Sequence, residues 1–150
     1  MFYCNVAFTV LLLAIAIIDI RSRQIPNKLL LIGIIVTLPS IFLLGSFLSG
    51  VIGGCVGFVL FGILYLVAPD KVGAGDVKLA CLIGLMVGFP LVLLSLSLAI
   101  LIGGVISWAL VAFKRVRVSG NIPFAPFLCS GAIVSLWAGD WIINWYQGLF

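Results

Sequence analysis

The sequence predicts an all-α, polytopic membrane protein with six transmembrane helices and both termini on the outer face. Three observations carry this. The chain is 65% hydrophobic and 8% charged, whereas ordinary soluble domains hold roughly 45–50% apolar and about 25% charged residues. So much apolar surface cannot be hidden inside 150 residues, so part of the solvent must be lipid. The apolar runs are continuous, while a transmembrane barrel shows alternation in segments of about ten residues. Finally, all eight Lys and Arg residues lie in or beside alternate connections between those runs. The length suits one integral-membrane domain spanning residues 1–150.

The first helix is expected from about Asn5 to Asp19. A signal peptide is excluded because no basic segment precedes this run and Asp19-Ile20-Arg21 follows it in place of a small-residue cleavage site. Residues 21–28 form a polar loop in which Pro26 stops the first helix and Asn27 caps the second. The second helix spans about Lys28 to Leu44, and Gly45 to Gly50 makes a tight apolar turn. The third spans about Val51 to Ala68. Its Gly50, Gly53, Gly54 and Gly57 give the small-residue spacing that lets another helix approach closely.

Pro69-Asp70-Lys71 ends the third helix. From Val77 to Phe113 no charge follows Lys78, a stretch too long for one span of about 20 residues and slightly short for two. Gly88-Phe89-Pro90 is the natural break. It divides a short fourth helix, about Asp76 to Val87, from a fifth, about Leu91 to Phe113. Lys114-Arg115-Val116-Arg117 closes that span. After Ile122-Pro123-Phe124-Ala125-Pro126-Phe127 the sixth helix runs to about Trp145. Basic connections face the cytoplasm by the positive-inside rule. Asp19, Asp70 and Asp76 then lie near the cytoplasmic surface, and Trp137, Trp141, Trp145 and Tyr146 suit the outer aromatic belt.

The net charge of +4 serves topology. No densely basic window or nucleic-acid-binding pattern occurs. Cys4, Cys55, Cys81 and Cys129 stand alone in apolar stretches, and there is no histidine. Zinc, haem and thiol–imidazole chemistry are therefore not indicated, no cofactor is expected, and the cysteines read as small buried hydrophobes.

Chemistry concentrates in the chain's few acids. In Val72-Gly73-Ala74-Gly75-Asp76-Val77-Lys78-Leu79, Gly73 and Gly75 permit backbone conformations and close approaches closed to other residues. They place Asp76 at the first turn of the fourth helix. An acid at a membrane edge is a functional candidate, since insertion at mid-membrane costs about 2.5–3.5 kcal/mol; an ordinary N-cap is the competing reading. Asp19 ends a helix, where the dipole disfavours an anion. It reads either as a salt bridge to Arg21 or Arg23 or as the partner of Asp76 in an aspartyl dyad. In such a dyad one carboxylate activates a water while the other, protonated, polarises the scissile carbonyl. Their helix ends suggest Asp76 as base and Asp19 as acid. Asp70 reads as a solvated turn, and Asp140 lies too far across the bilayer to join them. Lys78 is a basic anchor, a partner for Asp70 or a substrate contact.

Asp19 with Ile25-Pro26-Asn27, Gly73-Ala74-Gly75-Asp76-Val77-Lys78-Leu79, and Pro123-Phe124-Ala125-Pro126-Phe127 together resemble the prepilin peptidase family of G-x-G-D membrane aspartyl proteases. The likeness covers nearly the whole chain. Ala125 stands where the family usually has glycine. The resemblance implies catalysis by Asp19 and Asp76, supported by Gly73, Gly75, Lys78, Pro26, Asn27, Pro123 and Pro126. It implies a multi-pass protein of a bacterial or archaeal cytoplasmic membrane, its active site facing the cytoplasm. The partner implied is a type IV prepilin or pseudopilin precursor, cut after glycine between a short basic leader and a hydrophobic helix. The exposed face of helices four to six is the expected seat of that helix. Long members carry an extra segment with paired cysteines, linked to zinc and N-methylation, that precedes the first helix. This chain resembles the short, peptidase-only form, so no methyltransferase activity is expected. The competing classes are a G-x-G-D protease that cuts within the membrane and a proton-coupled transporter or accessory subunit. The first needs deeper acids; the second favours internal repeats and mid-membrane charge, and neither is found.

Overall fold

The computed structural model describes residues 2–22, 24–43, 45–68, 72–112 and 124–148. Six helices follow one another: α1 (Phe2–Ser22), α2 (Asn27–Leu43), α3 (Phe47–Val67), α4 (Ala74–Val87), α5 (Leu91–Ala112) and α6 (Ala125–Gln147). There is no strand among the described residues. The stretches Tyr3–Ser22, Phe47–Val67 and Leu91–Ala109 are long and apolar enough to cross a membrane, and Asn27–Leu43 and Ala125–Gly139 are shorter apolar helices.

The short helix α4 is the core. It packs against α2, α3, α5 and α6 and buries Val77, Leu79, Ala80, Leu82, Ile83, Gly84 and Met86. The longer helices turn apolar side chains outward, among them Leu66, Leu101 and Val105. Exposed carbon on this scale is unfavourable against water and neutral against lipid. Trp137, Trp141 and Trp145 also face outward on α6, and the Trp137 indole donates to Thr9 Oγ1 of α1 at 3.1 Å.

The glycine spacing of α3 serves α4. A Cβ on Gly53 or Gly57 would run into the carbonyls of Gly84 or Ala80, and one on Gly84 would meet the Gly53 carbonyl. Backbone therefore lies on backbone, which only glycine permits. Gly88, at φ +76°, ends α4. Ser49 then ties the next turn to α3: its Oγ accepts from Phe89 N–H at 3.0 Å and donates to Phe89 O at 2.8 Å.

Several boundaries differ from those expected. The turn before α3 is shorter than Gly45–Gly50, because Gly45 takes a turn conformation at φ +68° and Gly50 N–H already donates to Ser46 O. The fourth helix begins at Ala74, two residues early, so Asp76 is its third residue and still lies in the first turn, as expected. The break at Gly88-Phe89-Pro90 lies where the sequence places it. All four cysteines are free, but only Cys129 is fully buried and Cys55 faces outward. The small buried hydrophobe thus describes Cys129, while Cys4 and Cys81 are half-buried and Cys55 is exposed.

Candidate active site

α1 and α6 run antiparallel, with Asn5 Nδ2 donating to Leu136 O at 3.3 Å at one level and Asp19 meeting Ala125 at the other. The end of α1, the starts of α2 and α4, and the start of α6 therefore gather at one pole. There a cavity of about 320 Å³ is lined by Asp19, Gln24, Ile25, Asn27, Gly73, Gly75, Asp76 and Lys78. Asp19 and Asp76, far apart in sequence, share this cavity and lie within electrostatic reach of each other.

Each carboxylate is held by a backbone amide at a helix start. Asp76 is the third residue of α4, and its Oδ2 accepts the Gly73 N–H at 3.0 Å. This is the reciprocal half of a capping box and satisfies one of the orphan donors of a helix N-terminus. Asp76 thus does cap α4, though from inside the first turn and not from the N-cap. Asp19 is 6% exposed and accepts the Ala125 N–H from the first turn of α6. Arg21 is exposed and is not among the groups acting on the Asp19 carboxyl. The dipole contrast expected from the sequence is lost, because both acids face helix N-termini.

The aromatic–proline segment explains how Ala125 is held. Phe124 precedes α6, and its carbonyl accepts from Phe127 N–H at 3.0 Å and Leu128 N–H at 3.2 Å. Its ring lies 5.9 Å from Phe61 of α3 and 6.0 Å from Phe127. Both rings bear on Gly103 of α5. Pro126 fits the first turn, where a missing N–H leaves no helical bond unmade. Pro123 lies outside the described residues, as do Asp70 and Arg23. Asp140 sits on α6 roughly four turns beyond Ala125, away from the cavity.

Lys78 and Asn27 meet each other across the cavity mouth, Nζ donating to Oδ1 at 3.2 Å. Asp70 lies outside the described residues, and the partner found for Lys78 among them is Asn27, on α2. The expectation that Asn27 caps α2 is corrected. Asn27 is itself the first residue of α2, and the helix is opened by the Pro26 carbonyl, which accepts from Leu29 N–H at 3.0 Å and Leu30 N–H at 3.4 Å. Of the two uses expected of these glycines, a special backbone conformation and a close approach, only the second is found. Gly73 has φ −83°, and neither it nor Gly75 has a positive φ. Gly75 serves close approach, since a Cβ there would touch the Ile25 side chain at 3.3–3.5 Å. At Gly73, among the described residues, a Cβ would meet Asp76 Oδ2 at 3.5 Å and Gly75 N at 3.9 Å.

Sequence reasoning missed Ala125 as the anchor of Asp19, Gln24 and Ile25 as cavity walls, and Cys129, whose thiol is within electrostatic range of both carboxylates. The available signals were the helix start at Pro126, the polar Gln24 beside Ile25-Pro26-Asn27, and the i, i+4 spacing of Ala125 and Cys129.

A sequence model of the type IV leader peptidase family matches residues 6–108. Curated relatives include proteins named prepilin leader peptidase/N-methyltransferase. The one from Bacillus subtilis (strain 168) is 31% identical over 94% of this chain and 58% of its own length. That from Legionella pneumophila is 30% identical over 92% and 50%, and that from Stutzerimonas stutzeri 27% over 90% and 49%. The chain spans about half the length of the curated relatives it matches. No solved structure matches it.

Proposed function

The chain belongs to the type IV leader peptidase family, and from that premise we propose that it is an aspartyl endopeptidase that removes the leader of prepilin-like precursors at the cytoplasmic membrane border. The observation that carries the proposal is the single cavity lined by Asp19 and Asp76. In this reading six helices span the membrane, the cavity faces the cytoplasm and both termini lie outside. The position of the acids, in the last turn of α1 and the first turn of α4, favours cutting at the border over cutting deep in the bilayer.

The chemistry needs one carboxylate ionised and one protonated. The ionised group takes a proton from water, and the water oxygen bonds to the carbonyl carbon of the glycine that precedes the scissile bond. The protonated group donates to the carbonyl oxygen, which stabilises the tetrahedral intermediate. When the C–N bond breaks, a proton passes to the departing amine. The amides of Gly73 and Ala125 fix the two carboxylates, so little reorientation is needed during reaction. Because each acid accepts one such amide, helix position no longer ranks them as acid and base, and the pair titrates as a unit.

The test is cleavage of a prepilin-type precursor in membranes. The unaltered chain and Asp70→Asn are expected to cut, whereas Asp19→Asn and Asp76→Asn are not. Cleavage by both of the latter variants would refute the aspartyl mechanism.

A further inference from the structure

α4 is buried except along one stripe. Ala74, Lys78, Cys81 and Leu85 are its accessible residues beyond the turn that holds Gly75 and Asp76, apart from the partly accessible Val87 at its end. Their spacing of four, three and four keeps them on one helix face. Along this stripe a groove of about 300 Å³ opens between α2 and α3, walled by Leu31, Ile34 and Phe58 and floored by Cys81, Leu82 and Leu85. Its only polar lining is Asn27 and Lys78, and the same two side chains line the aspartate cavity. The groove and the cavity therefore adjoin, one apolar and the other polar, with the Lys78–Asn27 hydrogen bond on the border.

We propose that this α2–α4 groove, and not the face of helices four to six, receives the first turns of the hydrophobic helix that follows the scissile bond. The inference rests on the peptidase reading above. From Lys78 to Leu85 the stripe runs about 10 Å along the helix axis, enough for about two turns of a guest helix. The rest of α4 is closed by its neighbours: α3, α5 and α6 pack against it, and Leu79, Ala80 and Ile83 are fully buried. A substrate with its scissile bond at Asp19 and Asp76 has a polar segment on one side and an apolar helix on the other. The adjoining cavity and groove match that order, and a lipid tail has no polar segment to place among the carboxylates.

Groove-filling variants test this. Leu31 and Ile34 are accessible wall residues, so Leu31→Trp and Ile34→Trp enlarge side chains at the surface and leave the core packed. Each is expected to raise KM for a membrane-embedded precursor at least about tenfold with kcat held, the signature of lost ground-state binding. Leu101→Trp, on the outward face of α5, is expected to change neither. In parallel, a photoreactive residue at position 31 or 34 should form an adduct with the precursor, and at position 101 should not. Equal kinetics for the three variants, or adducts with lipid alone at positions 31 and 34, overturn the groove assignment while wild-type cleavage still stands. Failure of the unaltered chain to cut any precursor overturns the peptidase reading, and this inference with it.

Discussion

The two ends of α4 use glycine for different purposes. At the C-terminal end, Gly84 lies against Gly53, and a Cβ on either would overlap the other helix's backbone. At the N-terminal end, among the described residues, a Cβ on Gly73 would have only ordinary van der Waals contacts, at 3.5 Å with the Asp76 carboxylate and 3.9 Å with Gly75 N. The first pair is required by packing. The second position has room to spare among the described residues, so packing there does not require glycine. One helix thus carries a clamp at one end and an open floor at the other, and stability and activity should separate along its length.

The largest effect expected is on activity at the open end. Asp19→Asn and Asp76→Asn should each lower precursor cleavage by about 10²–10⁴-fold, the usual worth of a positioned acid or base. The double variant should be little worse than the poorer single one, because groups that act as a unit are not additive. Thermal unfolding in detergent should show Asp76→Asn within about 1 kcal/mol of wild type, since asparagine still offers an acceptor to the Gly73 N–H. A collapse of the fold in that variant would mean that Asp76 is structural.

The clamp should behave in the opposite way. Gly84→Ala forces a methyl into the Gly53 backbone, and overpacking of this kind costs about 1–3 kcal/mol. Lower thermal stability and less folded protein in the membrane are expected, with cleavage per folded molecule preserved. Full stability in this variant would show that α3 and α4 can slide apart, and the contrast between the ends would fail.

Between these extremes lies Lys78→Met, which keeps the apolar stem and removes the hydrogen bond to Asn27. An exposed polar bridge is worth about 0.5–1.5 kcal/mol. Cleavage should therefore fall less than in either aspartate variant, with unfolding shifted by at most that amount. A loss as deep as that of Asp76→Asn would place Lys78 in the chemistry itself.

The helices and their order were legible because each long apolar run ends at charge, proline or glycine. The break at Gly88-Phe89-Pro90 is the clearest case: hydropathy alone offered one span or two, and the Gly-Phe-Pro triplet decided. The glycine stripe of α3 announced close packing but not its partner, which depends on how α4 is threaded through the bundle. The aspartates could be singled out because acids are rare here. Their anchors could not, because the Ala125 amide reaches Asp19 only through the antiparallel docking of α6 on α1, a long-range contact without a local sequence signal. The ranking of base and acid by helix end lost its premise for the same reason: helix position along the chain says nothing about which other helix end a carboxylate meets.

The smallest and most discriminating change is Gly73→Ala. Gly73 sits at φ −83°, ψ 153°, a conformation alanine adopts without strain. Its new methyl would rest against Asp76 Oδ2 at van der Waals distance. Stability should therefore hold or rise by about 0.4–1 kcal/mol, because alanine narrows the unfolded ensemble. The same methyl would stand on the cavity wall beside the carboxylate, where a substrate backbone must pass. Cleavage efficiency should fall by a few-fold to about tenfold, through KM more than kcat. Gly75→Ala is the paired control: its methyl presses on Ile25, so it should lose a little of both. If Gly73→Ala instead unfolds the protein as Gly84→Ala does, both ends of α4 are clamps and the open floor is not there. If it cuts as well as wild type, the substrate backbone does not pass over Gly73, and the approach to the carboxylates must come from the Asn27 side of the cavity.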